Sequence, residues 1–190
     1  MKKDIILSGV GGQGILSIAT VIGQAALKDG LYMKQAEVHG MSQRGGSVVT
    51  YVRYGKKVYS PVIDKGEADV IISFEKLEAA RWLEFLKKDG TIITNTQEVE
   101  PMPVITGAAA YPENLIEKMQ AAGAKVDAKD FLLIAQEAGS AKAVNIALMG
   151  RLSTYFPEIS DEQWQDAIEK IVPPKFLDLN RKAFEAGRNA

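Results

Sequence analysis

Apolar and polar positions alternate along the chain in a strand-then-helix rhythm. A short apolar run, Ile5, Ile6 and Leu7, lies within residues 4–8 and reads as a buried strand. Asp4 interrupts it and it is too brief for a secretory leader. A glycine-rich turn at residues 9–14 follows, and residues 15–27 then carry helical spacing that ends near Gly30. Residues 31–38 predict a second strand. Residues 47–54 and 57–63 are both rich in β-formers about Gly55 and Lys56 and predict a hairpin. Residues 69–74 predict a strand buried on both faces, then a helix over 75–87 that Asp89 and Gly90 terminate, then a strand over 91–95. A Pro-bearing loop at 100–103 leads to an expected strand at 104–107 and a helix over 112–122.

The rest reads as helical: residues 129–138, 141–155, 160–172 and 175–186, with Ser160 and Gln163 spaced as a capping box and Pro173 and Pro174 separating the last two helices. Strands alternating with helices predict an α/β, Rossmann-like fold. It has a mostly parallel sheet flanked by helices, an inserted β-hairpin and a helical C-terminal region. At 190 residues with no internal repeat, the chain is expected to form a single domain over 1–190.

Composition narrows the function. With 46% hydrophobic and 25% charged residues and no apolar run near the roughly 18 residues that span a bilayer, the expectation is a protein with no membrane partner. The net charge of −1, with scattered cations, argues against nucleic acid as a partner. There is no cysteine, so the chain forms no disulfide and ligates no iron–sulfur cluster through thiolates, and the lone His39 makes a zinc site unexpected. These features predict a cytoplasmic protein that binds no metal.

Chemistry concentrates in two loops. The segment GVGGQG has Gly9, Gly11 and Gly14 at dinucleotide-fingerprint spacing between a strand and a helix, with Gly12 and Gln13 completing the turn. The first glycine allows the sharp turn, the second lets a phosphate approach the backbone, and the third lets helix pack on strand. Amides at the helix start then favour an anion. Glu37, about 20 residues on, stands where such a site places its ribose-binding acid. Two alternatives stay open: the glycines serve packing alone, or the loop touches a protein neighbour.

The second loop, VHGMSQRGG, joins His39, Ser42, Gln43 and Arg44 with Gly45 and Gly46. Arg44 suits bidentate contact with phosphate or carboxylate, and Ser42 and Gln43 suit hydrogen bonds to the same anion; the alternative is an arginine that braces the loop or pairs with a partner carboxylate. His39 is a candidate proton carrier, but with no orienting acid or nucleophile beside it a loop-bracing histidine is the simpler reading. Glu75, Glu78 and Arg81 fall at helical spacing and are read as ion pairs on one face, with no chemistry assigned, and Lys87 to Asp89 as a solvated helix end. Trp82 and Trp164 are either core residues or partner anchors, the core being preferred at Trp82.

GVGGQGI, AEVHGMSQRGGSVV, VYSPVI, ADVIISFEKLEAAR, NIALMGRLS and NRKAFEAG together resemble the gamma-type domain of the 2-oxoacid:ferredoxin oxidoreductases across nearly the whole chain. EVHGMSQRGG is similar to the arylpyruvate branch. The resemblance implies oxidative decarboxylation of indolepyruvate or another arylpyruvate to an acyl-coenzyme A, with electrons passing to ferredoxin. It implies an alpha subunit as partner, holding thiamine diphosphate and iron–sulfur clusters, with no activity from this chain alone. Coenzyme A or the oxoacid is then expected between the subunits, against Gly9–Gly14 and residues 39–46, and the isolated chain can pair with itself. A gamma subunit for another 2-oxoacid, a stand-alone nucleotide-binding oxidoreductase and a purely structural subunit are the competing readings.

Overall fold

The apolar run at residues 5–7 forms the middle of β1 (Lys2–Val10), buried from Asp4 onward. The computed structural model describes residues 2–27, 30–40 and 45–190. Ser42, Gln43 and Arg44, named above, lie outside them. Helix α1 (Ile15–Leu27) follows the glycine turn, and β2 (Tyr32–His39) and β3 (Ser47–Gly55) come next. Then β4 (Ala68–Ser73), α2 (Lys76–Arg81), β5 (Leu86–Asn95), α3 (Met102–Ile105), α4 (Leu115–Ala121) and β6 (Lys125–Lys129) lead to α5 (Phe131–Glu137), α6 (Val144–Ser153), α7 (Asp161–Ile171) and α8 (Leu177–Arg188).

The six strands form one sheet in the order β2-β3-β1-β4-β5-β6. The pairs β1–β4, β4–β5 and β5–β6 are parallel, whereas β3 runs antiparallel to both β1 and β2. Side chains of a strand alternate between faces, so Ile5 and Leu7 join one core and Ile6 the other. The first core includes Ile18 and Ile22 of α1, Trp164 of α7 and Phe184 of α8; the second includes Ala79 of α2, Met119 of α4 and Ile63. Both faces of the sheet are thus covered, as the α/β expectation required.

The inserted hairpin is present but is built differently. It consists of β2 and β3, paired from Tyr32 opposite Gly55 to His39 opposite Val48. Residues 57–63 form no strand. The reason is that β3 already has hydrogen-bonded neighbours on both sides, and Pro61 offers no amide to a further ladder. Val58 and Ile63 are buried and pin that segment to the core instead.

Three other boundaries move. The expected strand at 104–107 is the short helix α3, entered through Pro101 with a second proline in its first turn, where a fixed φ suits a helix start. The helix expected over 75–87 stops at Arg81, passes through a 3-10 turn at Leu83–Phe85 and gives way to β5. Lys87 to Asp89 therefore belong to a strand, not to a helix end, and a register shift with Asp89 at φ 66° marks the irregularity there. Edge strand β6 went unrecognised because only Val126 and Ala128 are apolar in KVDAK.

The C-terminal helices follow the reading closely. Ser160 and Gln163 cap α7 reciprocally. Trp164 is core, 1% exposed and stacked at a tilt on Phe184, while Trp82 is half-buried and meets Tyr51 edge-on. Helices α6 and α8 approach to backbone contact: a Cβ on Gly187 would lie 1.8 Å from the Ala147 carbonyl oxygen. No helix among the described residues is long and apolar enough to cross a membrane.

Candidate functional site: two glycine loops bonded to each other

At the carboxyl end of β1 the chain turns back through residues 11–14. The turn is closed from within by Gln13: its amide donates to the Val10 carbonyl (3.2 Å), its Oε1 accepts from the Val10 amide (2.7 Å) and its Nε2 donates to the Phe74 carbonyl (3.4 Å). Gly9 is required by this staple, since a Cβ there would lie 2.6 Å from Gln13 Oε1 and 3.0 Å from Phe74 Cβ. Gly14, at φ 78°, admits the Asn145 amide of α6, whose Nδ2 would stand 2.8 Å from an added Cβ. The third glycine thus makes room for a side chain from a helix much later in the sequence.

The second loop is fastened to the first. Gly11 N donates to the Gly46 carbonyl (2.8 Å) and Gly45 N donates to the Gly11 carbonyl (3.3 Å). The two loops do not follow adjacent strands, because β3 lies between β1 and β2. They meet because β3 begins at the sheet end where β1 and β2 finish.

Between them opens a cleft of about 430 Å³, lined by Gly11 to Leu16, Glu37, His39 and Val48. Among the described residues, nothing accepts from the amides of Gly12, Gly14, Ile15 or Leu16. Helix α1 also lacks an acidic side chain in its first turn. Its positive N-terminal end is therefore left for an anion.

The remaining predicted residues divide. Glu37 lines the cleft and accepts from Thr50 Oγ1 at 3.5 Å, but β3 displaces β2 by one extra strand spacing, about 5 Å, from where an adjacent strand would present a ribose-binding acid. His39 also lines the cleft; its Nδ1 is 3.2 Å from the neighbouring Gly40 carbonyl, a local backbone contact with no carboxylate orienting the ring.

Behind the second loop lies a group of residues to which the sequence reading gave no chemistry. Glu75 and Glu78 are buried, 1% and 4% exposed. Glu75 caps α2 by accepting from the Glu78 amide (2.8 Å), and it also accepts from the Val99 amide (3.4 Å) and the Tyr111 hydroxyl. Glu78 accepts from the Ser47 hydroxyl and from Arg81 Nε (2.9 Å). Burial raises its carboxyl above the usual value, with Ser47 and Arg81 pulling the other way. A smaller cleft of about 190 Å³ runs between Gly45, Gly46, Ser47, Arg81 and Met102. The available signal was an acid two residues after a largely buried strand, where a helix cap is needed.

Comparison with known proteins places the chain among redox enzyme subunits. A family model described as pyruvate ferredoxin/flavodoxin oxidoreductase matches residues 4–190. The chain is 44% identical to the indolepyruvate oxidoreductase subunit IorB of Thermococcus kodakarensis, over 100% of this chain and 96% of that one. Its fold is shared with the pyruvate oxidoreductase subunit PORC of Thermotoga maritima (TM-score 0.77, 22% identity, 99% of this chain and 96% of that one). It is also shared with part of a 2-oxoglutarate:ferredoxin oxidoreductase from Magnetococcus marinus, solved with 2-oxoglutarate, coenzyme A and succinyl-CoA bound (TM-score 0.74, 21% identity, 99% of this chain and 30% of that one).

Proposed function

The chain belongs to the pyruvate ferredoxin/flavodoxin oxidoreductase family, and from that premise we propose that it is the smaller subunit of an indolepyruvate:ferredoxin oxidoreductase. In this reading it docks, in the cytoplasm, on an alpha subunit that holds thiamine diphosphate and iron–sulfur clusters. The complex decarboxylates indolepyruvate or another arylpyruvate, passes its electrons to ferredoxin and its acyl group to the thiol of coenzyme A. With no cysteine, this chain has no thiolate for a cluster, which accords with that division of labour.

The observation that carries the reading is the cleft formed by the two bonded glycine loops. The amides at the start of α1, which have no acceptor among the described residues, suit a phosphate group of coenzyme A. In this proposal Gly11, Gly12, Gln13 and Gly14 form one wall, Gly9 shapes their turn, Gly45 and Gly46 brace it, and Ser42, Gln43 and Arg44 are further ligand contacts. Glu37 faces the same space and suits a hydroxyl, whereas its displacement by β3 counts against a stand-alone nucleotide-dependent dehydrogenase.

Ferredoxin reduction should be followed with indolepyruvate and coenzyme A for this chain alone, its alpha subunit alone and the two combined. Turnover is expected only in the mixture; turnover by this chain alone would overturn the subunit reading. Replacing indolepyruvate with pyruvate or 2-oxoglutarate in the mixture tests the substrate. Arg44→Ala should raise the KM for coenzyme A about tenfold if the guanidinium grips its phosphate.

A further inference from the structure

The glycine pair that braces the cleft has no side chain with which to hold itself in place. Among the described residues, Gly45 and Gly46 are hydrogen-bonded to the first loop through two backbone bonds to Gly11. The next residue, Ser47, opens β3 and donates its hydroxyl to Glu78 of α2. Glu78 is fixed in turn by Arg81 Nε at 2.9 Å, and its amide is held by Glu75 at 2.8 Å. Glu75 further binds Val99 and Tyr111. One continuous set of hydrogen bonds thus runs from the wall of the cleft through α2 to the segment around residues 99–111.

A carboxylate is an expensive residue to bury, and an apolar side chain at position 78 would pack at least as well. Its partners explain its presence: one oxygen is taken by Ser47 and the other by Arg81, leaving little freedom for the start of β3. We propose that Glu78 is a positioning residue of the cleft, acting through Ser47 to set where Gly45 and Gly46 hold Gly11. It contacts no part of the cleft lined by Gly11 to Leu16 and is not a catalytic residue. The consequence for coenzyme A rests on the function proposed above; the consequence for the loops does not.

Ser47→Ala, Ser47→Thr, Glu78→Gln and Glu78→Ala in the full chain separate the two. Amide hydrogen exchange at Gly11 and Gly45 should quicken about tenfold in Ser47→Ala and Glu78→Ala, while Ile71 and Ile92 in the central strands keep their protection. Ser47→Thr, which retains the hydroxyl, should restore protection, and Glu78→Gln, which retains an acceptor but not the charge, should lie between. In the reconstituted complex the same two alanine variants should raise the KM for coenzyme A about five- to tenfold with a smaller change in kcat.

Unchanged exchange at Gly11 and Gly45 in both alanine variants would overturn the proposal. So would a uniform loss of protection extending to Ile71 and Ile92, which would make Glu78 a general support of the fold. Local loss of protection in a complex whose turnover needs no coenzyme A would uphold the positioning role and defeat the ligand reading.

Discussion

The two ends of the sheet are both dense in polar groups, yet they are built on opposite plans. At the amino end Arg53 grips Asp4 with two hydrogen bonds, Nε to Oδ1 at 2.7 Å and Nη2 to Oδ2 at 3.1 Å. Lys2 adds a third contact to Asp4 at 2.9 Å, the Asp4 amide donates to Asp69 (2.8 Å), and Lys87 pairs with Asp69. Charge there is answered by charge. At the carboxyl end the glycine loops carry no ionised group of their own among the described residues, but leave helix-start amides without acceptors. What separates a structural cluster from a candidate binding site is unspent hydrogen-bonding capacity, not polarity.

The largest effect should come from breaking the satisfied end. Asp4→Ala leaves the mostly buried Arg53 with only its longer contacts to Glu67 and the Ser60 carbonyl among the described residues, and should cost about 3 kcal/mol in urea unfolding, with no change in the KM for coenzyme A. Gly9→Ala at the other end should cost less, about 1–3 kcal/mol, because Gln13 must leave its staple. Its KM for coenzyme A should nevertheless rise more than tenfold as the turn loses its shape. If Asp4→Ala damaged ligand binding and Gly9→Ala did not, the contrast between the ends would be lost.

Salt should sharpen the contrast further. Raising ionic strength from about 0.05 to 0.5 M should weaken binding of an anionic ligand at the exposed helix start several-fold, while the buried Asp4–Arg53 pair is little screened and stability barely changes.

The smallest effect concerns pH. Burial raises the Glu78 carboxyl above its usual 4.5, so folding disfavours its ionised form. That penalty is complete above the folded pKa, shrinks as pH falls through it and vanishes below 4.5. Glu78→Gln removes the titration. Its stability relative to the parent should therefore be highest at neutral pH and decline as pH falls towards 4.5, by a fraction of the Asp4→Ala effect. A difference that stayed flat with pH would show that Glu78 does not titrate differently on folding.

The family was legible only through the resemblance carried by segments such as EVHGMSQRGG. The first glycine loop was legible because its signals are local: an apolar run, glycines at fixed spacing, then helical periodicity. The capping box at Ser160 and the pair Pro173–Pro174 were legible for the same reason. Residues 57–63 misled because β-propensity describes a segment and not whether a sheet edge is free to receive it. The ion pair that helical spacing suggested between Glu78 and Arg81 is present, but spacing cannot say that the carboxylates of a short helix are buried.

The sequence alone determined the α/β class through its patterning, the two loops in which the candidate chemistry lies through their residue types, and the redox family through resemblance. Tertiary structure alone decided that β3 inserts between β1 and β2, that Gly11 and Gly45–Gly46 bond across that insertion, and that a buried glutamate stands behind them. The physical reason is that strand order and long-range hydrogen bonds depend on which partners remain unpaired once the whole chain has packed, and no local window of sequence contains that competition.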